Sequence, residues 1–252
     1  MMAARNFAIY AATVLWSLLF WVTATVPVVL LYLLLSKPRR RHYMRIVMLW
    51  FGRSIVRGVW RPFFRVRYED RTGGSREPGI VVANHRAATD AFLVSEPGLS
   101  FAQTVNGWPM RLPLIGWGAR LAGYLKITDW DYDTLRARAE EILNSGDMIV
   151  AFPEGTRSES RTMAPFRSGI FRVAVDLGLP VYMLCIAGNE YMPDRSFRFR
   201  EFHDLSIRFL EPLPREEIRR CATAYVLKQK VFRRMTEELA SMDAALGYEN
   251  QV

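Results

Sequence analysis

No charged residue occurs between Phe7 and Leu35, a 29-residue stretch reading FAIYAATVLWSLLFWVTATVPVVLLYLLL. A run this apolar on every side restricts the chain to folds in which a helix meets lipid or a large apolar surface. As one continuous helix it would reach roughly 43 Å, beyond the ~30 Å hydrocarbon core of a bilayer. Pro27 interrupts the run and disfavours helix at Val26. Two arrangements follow: one tilted or kinked span, or a helix that dips into the bilayer and returns. The length, and the lack of a small-x-small closing site, argue against a cleaved signal peptide.

The next stretch, KPRRRHYMRIVMLWFGRSIVRGVWRPFFRVRY, has Lys and Arg but meets no acidic residue until Glu69. Arg45, Arg53, Arg57 and Arg61 fall on an i, i+4 lattice and predict one basic stripe, with Trp50, Trp60, Phe63 and Phe64 elsewhere around the helix. The pattern reads as an interfacial helix with its cations at lipid phosphates. Its rival is an ordinary domain helix with a solvated basic face. The chain has 34 Lys and Arg against 25 Asp and Glu, and a net charge of +9 suits an anionic partner. The apolar leader selects a membrane surface over nucleic acid. Residues 1–70 are therefore expected to anchor the chain to an inner or cytoplasmic membrane, with the basic flank and the active site on the cytoplasmic face.

RTGGSREPG, residues 71–79, reads as a turn or linker and marks the expected start of a second unit, residues 71–252. Strand-like runs cover Ile80–Ala83, Met148–Phe152, Val181–Ala187 and Ser206–Leu210. Helical patterns begin at Ala91 and cover Leu114–Leu121, Tyr132–Leu143, Phe166–Leu177 and Arg215 to about Leu246. Gly146 and Gly178 suit helix stops, and Pro214 a helix start. The alternation predicts an α/β fold with a mostly parallel central sheet flanked by helices, preceded by the membrane-associated helical segment. Ligands in such sheets sit at the carboxyl ends of strands.

Two motifs lie at such ends. VVANHRAATD places His85 just past a strand and Asp90 five residues on, close enough for a carboxylate to fix the imidazole tautomer. The same pair is also compatible with a packed, hydrogen-bonded histidine. FPEGTRS, residues 152–158, offers backbone N–H groups around Gly155 and a guanidinium fork at Arg157, while Glu154 would organise the loop or bind a hydroxyl. Taken alone, this stretch is also ordinary loop punctuation. The two cysteines, Cys185 and Cys221, form no CxxC, and Cys185 sits in an apolar run as a buried thiol. His42 belongs to the basic run, and His203 has only an adjacent Asp204, so neither is expected to catalyse.

Together NHRAATD, FPEGTRS and the later GLPVYMLCIAG resemble the glycerolipid acyltransferase family typified by 1-acylglycerol-3-phosphate acyltransferases, over about residues 78–212. The resemblance implies that His85 is the general base on an acceptor hydroxyl and that Asp90 orients it. It implies that Asn84, Glu154, Gly155, Thr156 and Arg157 bind the acceptor. The acyl donor would be an acyl-CoA or acyl carrier protein thioester, attacked directly, with no metal, no cofactor and no acyl-enzyme. The partners implied are membrane lipids and the thioester carrier. The chain departs from the family at Asp129, where an arginine is usual, and near Asn106, where a basic residue is common; Lys126, Arg111 or Arg120 would compensate. An acid there would repel a phosphomonoester. The first expectation is acylation of 1-acylglycerol-3-phosphate to phosphatidic acid. The rivals are the same chemistry on an acceptor such as lyso-ornithine lipid, and a non-catalytic lipid-binding protein.

Overall fold

Ile80–Ala83 forms strand β2, whose four residues are all buried; a strand apolar on both faces demands cover on both. The computed structural model describes residues 1–107, 109–126, 131–158 and 160–247, and places β2 inside a seven-stranded sheet. Around it lie β1 (Val66–Asp70), β3 (Phe101–Val105), β4 (Leu125–Lys126), β5 (Met148–Ala151), β6 (Val181–Ala187) and β7 (Leu205–Leu213). The spatial order is β1-β7-β6-β2-β5-β3-β4, parallel throughout but for the antiparallel β6–β7 pair.

The helices are α1 (Met2–Leu34), α2 (Lys37–Ser54), α3 (Asp90–Leu93), α4 (Ile115–Ala122), α5 (Tyr132–Asn144), α6 (Gly169–Leu177), α7 (Arg215–Arg219) and α8 (Ala224–Ala245). A π-helical turn, Ile55–Val59, prolongs α2. Local chemistry sets several ends. Asp131 caps α5 by accepting from Thr134 N at 2.7 Å, and Gly178 closes α6 in the left-handed conformation. The single helix expected from Arg215 onward is two. Thr223 accepts from Val226 N and starts α8 afresh after α7 ends.

The mostly parallel sheet flanked by helices matches the expectation, but its outer strands were not legible. β1 reads VRYED, three of five residues charged, and is held by β7, more than 130 residues away. Because β1 precedes the turn at residues 71–79, that turn joins parts of one sheet rather than two units. Met44, Met48 and Phe51 of α2 also belong to the same buried core. The core does not divide at residue 70, and it also takes in Ile9, Trp21 and Val28 of α1.

One member of the basic stripe, Arg45, is not available to a lipid surface, while Arg57 and Arg61 stay exposed. Arg45 is buried, donating to Asp147 Oδ2 at 2.6 Å and to the Ala122 carbonyl at 3.0 Å. Arg57 pairs with Glu96 at 2.9 Å. Asp147 lies just before β5 and Glu96 just after α3, so neither acid is visible to a local pattern. His42 Nδ1 joins the same Asp147 at 2.9 Å.

Helix α1 continues past Pro27 and is long and apolar enough to cross a membrane. One face is nevertheless docked along its length. Asn6 exchanges two 2.8 Å hydrogen bonds with the backbone of Phe199, Trp21 packs at 5.4 Å from Trp117, and Val28 is buried. The other face leaves Leu15, Leu19, Val22, Val26 and Leu33 exposed.

Candidate active site

β2 and β5 are adjacent and parallel, so the loops leaving their carboxyl ends emerge side by side. The first carries His85, the second Phe152–Arg157. His85 Nδ1 stands 2.8 Å from Asp90 Oδ2, and Asp90 is fully buried at the start of α3. Asp90 Oδ2 also accepts from Ala87 N at 2.9 Å, which fixes the carboxylate against the loop. A carboxylate on Nδ1 assigns the proton to that nitrogen and leaves Nε2 as a lone-pair base. Phe152 stacks on the imidazole at 4.4 Å between centroids and sets its plane.

Two expected binding residues turn out to be struts. Asn84 is buried and links β2 to β6, donating to the Ile186 carbonyl at 2.9 Å and accepting from Ile186 N at 2.8 Å. Glu154 accepts from His85 N at 2.7 Å and from Ala164 N at 2.8 Å. Both carboxylate oxygens are thus spent on backbone, locking the two motif loops together. Burial pushes the Glu154 carboxyl up to about 7, partly opposed by those two N–H donors and by His85. Neither residue lines the cavity that His85 faces.

That cavity holds about 880 Å³ and is bounded by His85, Gly155, Thr156 and Arg157 at a polar end. Its walls are apolar, from Ile9 and Val14 of α1, Phe51 of α2, Phe101 of β3 and Ile115 of α4. Gly155 holds a positive φ of 79°, and a Cβ there would meet the Arg167 guanidinium at 2.8 Å, so the loop requires glycine. Arg157 Nη1 is buried with no hydrogen-bond partner among the described residues, and its guanidinium lies 5.4 Å from the Phe197 ring. A guanidinium N–H shielded from solvent and left without an acceptor is suited to an anion.

Arg195 also lines the cavity and went unnoticed in the sequence, because the loop after β6 carries no recognisable pattern. Asn106 lines it too and donates to the Gly155 carbonyl at 3.0 Å. Lys126, Arg111 and Arg120, expected as compensating cations, do not line it. Ile127, Thr128 and Asp129 lie outside the described residues. His203 pairs with Glu201 at 2.8 Å and does not line the cavity. Burial raises the pKa of the Cys185 thiol well above its ordinary range, in keeping with an inert core position.

A histidine–carboxylate pair at the carboxyl edge of a mostly parallel sheet, opening on an apolar cavity beside an apolar helix, defines an α/β protein built to receive an apolar ligand. A family model described as Acyltransferase matches residues 65–187, which makes this stretch an acyltransferase-family domain. A chloroplastic 1-acyl-sn-glycerol-3-phosphate acyltransferase of Arabidopsis thaliana is 30% identical over 173 residues, 66% of this chain and 47% of that one. A lyso-ornithine lipid O-acyltransferase of Pseudomonas aeruginosa is 29% identical over 188 residues, 65% of this chain and 71% of that one. The chain spans about half the length of the chloroplastic relatives it matches. The fold is that of the 1-acyl-sn-glycerophosphate acyltransferase from Thermotoga maritima, with a TM-score of 0.76 over 97% of this chain and 98% of that one at 19% identity.

Proposed function

We propose that the protein transfers a fatty acyl group from a thioester to the hydroxyl of an anionic lysolipid, 1-acylglycerol-3-phosphate first among them, giving phosphatidic acid. The observation that carries this reading is His85, backed by Asp90, at the polar end of an apolar cavity whose charged lining residues among those described are Arg157 and Arg195. His85 Nε2 takes the proton from the acceptor hydroxyl as its oxygen attacks the thioester carbonyl. Asp90 stabilises the imidazolium that forms. The tetrahedral adduct collapses, the C–S bond breaks, and the imidazolium returns a proton to the departing thiolate. The apolar walls accept an acyl chain, and the arginines hold the phosphate by charge-assisted hydrogen bonds. No metal or cofactor takes part, and nucleic acid is not a partner.

The exposed apolar face of α1 is the part that enters the membrane. Because the other face packs on the domain from Asn6 to Val28, the helix lies along the protein within one leaflet rather than projecting across the bilayer. Ile9 and Val14 line the cavity, so a lysolipid reaches His85 from the bilayer beside α1. The membrane is the inner or cytoplasmic one, with the site on its cytoplasmic face.

Lyso-ornithine lipid is the second acceptor, favoured by the Pseudomonas aeruginosa relative and by Asp129. The absence of a carboxylate lining the cavity among the described residues weighs against it. The deciding experiment incubates the purified protein with each thioester, acyl-CoA and acyl carrier protein, and a panel of lysolipids, with products identified by mass spectrometry. Turnover of 1-acylglycerol-3-phosphate is expected; acylation of lyso-ornithine lipid alone would select the second acceptor, and no product from any acceptor would leave a lipid-binding protein.

A further inference from the structure

Asp90 Oδ1, the carboxylate oxygen that does not face His85, receives the side-chain amide of Asn189 at 2.5 Å. Asn189 is fully buried in the turn after β6, 99 residues from its partner. Its Nδ2 also reaches Thr89 Oγ1 at 3.2 Å, and Thr89 in turn donates to the Met192 carbonyl at 2.8 Å. The backbone closes the same turn, with Met192 N donating to the Asn189 carbonyl at 2.9 Å. Asn189 Oδ1, by contrast, is buried with no partner among the described residues. A half-satisfied amide in a protein interior is costly, and flipping it would aim the carbonyl at a carboxylate. The N–H side is on Asp90 because that is where a donor is needed.

We propose that Asn189 is a positioning residue for the transfer reaction, holding Asp90 in the one orientation that keeps Oδ2 on His85 Nδ1. This rests on the reading of His85 as the base. Oδ2 is shared between His85 and Ala87 N, so Oδ1 would be a buried carboxylate oxygen without a donor if Asn189 were lost. The carboxylate would then rotate to seek one, and the imidazole would lose its fixed tautomer.

The test is steady-state kinetics on folded protein, corrected for the folded fraction, for Asn189→Leu and Asn189→Asp. Leu fills the space without a donor, and kcat is expected to fall about 10- to 100-fold, with KM for acceptor and thioester within about twofold. Asp keeps the shape, and two neighbouring carboxyl groups share a proton that can stand in for the amide N–H. Asn189→Asp should therefore recover part of kcat at low pH and lose it as pH rises, where the wild type does not. Should Asn189→Leu not fold, that pH-dependent loss in Asn189→Asp carries the test. A folded Asn189→Leu with wild-type kcat, or an Asn189→Asp whose pH profile follows the wild type, would overturn the proposal. Turnover surviving in folded His85→Ala would instead remove the reading on which it rests.

Discussion

Arg86, next in the chain to His85, lies with Nη1 and Nη2 at 2.7 and 2.6 Å from the two carboxylate oxygens of Asp243 on α8. Both side chains are buried, and Arg86 Nη2 also donates to the Arg161 carbonyl at 2.9 Å. The loop that carries His85 is thereby clamped to α8. Removing one partner of a buried ion pair leaves the other uncompensated, a loss of about 3–5 kcal/mol where no second acid is near. Glu190, 3.7 Å from Arg86, offsets part of it. Asp243→Ala is expected to cost about 3 kcal/mol by denaturant unfolding, with specific activity following the folded fraction. A loss below about 1 kcal/mol would mean the pair is not a clamp.

The pair proposed for catalysis, His85 and Asp90, makes a sharper demand. His85→Ala should abolish transfer in a folded protein, and Asp90→Asn should lower kcat by roughly 10²–10⁴. An asparagine at position 90 can turn an N–H toward Nδ1 and favour the wrong tautomer. Wild-type turnover in folded His85→Ala would rule out general-base catalysis by His85, and the same result in Asp90→Asn would remove Asp90 from orienting it.

The parts of this site that the sequence made legible are those built from neighbours in the chain. His85 and Asp90 are five residues apart, and Gly155–Arg157 are contiguous, so a loop can place them without help. What was misread depends on distant partners. Arg45 looked like a lipid-facing cation because Asp147, its buried counter-ion, comes 102 residues later. Asn84 looked like a ligand contact, and Glu154 stayed open between organising its loop and binding a hydroxyl, because nothing local announces that the His85, Ala164 and Ile186 backbones would occupy them. β1 was hidden by its charges, which an edge strand can turn to solvent. Asn189 and Arg195 sit in a loop with no periodicity, and only the fold brings them to the cavity and to Asp90.

Glu154 gives the protein a pH-dependent stability. Burial raises its pKa from an ordinary 4.5 to about 7, so the folded state holds this proton more tightly than the unfolded chain. Its contribution is fully present below about 4.5 and is lost as pH rises to about 7. The full swing is roughly 3 kcal/mol, an upper figure. Unfolding of wild type and Glu154→Gln, measured at intervals from pH 4.5 to 8, should show the wild type losing stability relative to the variant until about pH 7. The difference should then level off. Parallel curves across that range would place Glu154 among ordinary carboxylates.

The acceptor headgroup can be tested by restoring what the family usually carries. Asn106 lines the cavity and donates to the Gly155 carbonyl at 3.0 Å, in the region where relatives are expected to hold a basic residue. A lysine there retains a donor for that carbonyl and adds a charge close to Arg157. Asn106→Lys, alone and with Asp129→Arg, should therefore tighten binding of 1-acylglycerol-3-phosphate. One new charge-assisted hydrogen bond is worth about 1–3 kcal/mol, so KM should fall about 5- to 100-fold with little change in kcat. A cationic headgroup such as that of lyso-ornithine lipid should respond in the opposite sense, its KM rising under the same substitutions. If KM for both acceptors stays put while the melting temperature drops, the two positions serve the fold, and Arg157 with Arg195 carries the phosphate without help.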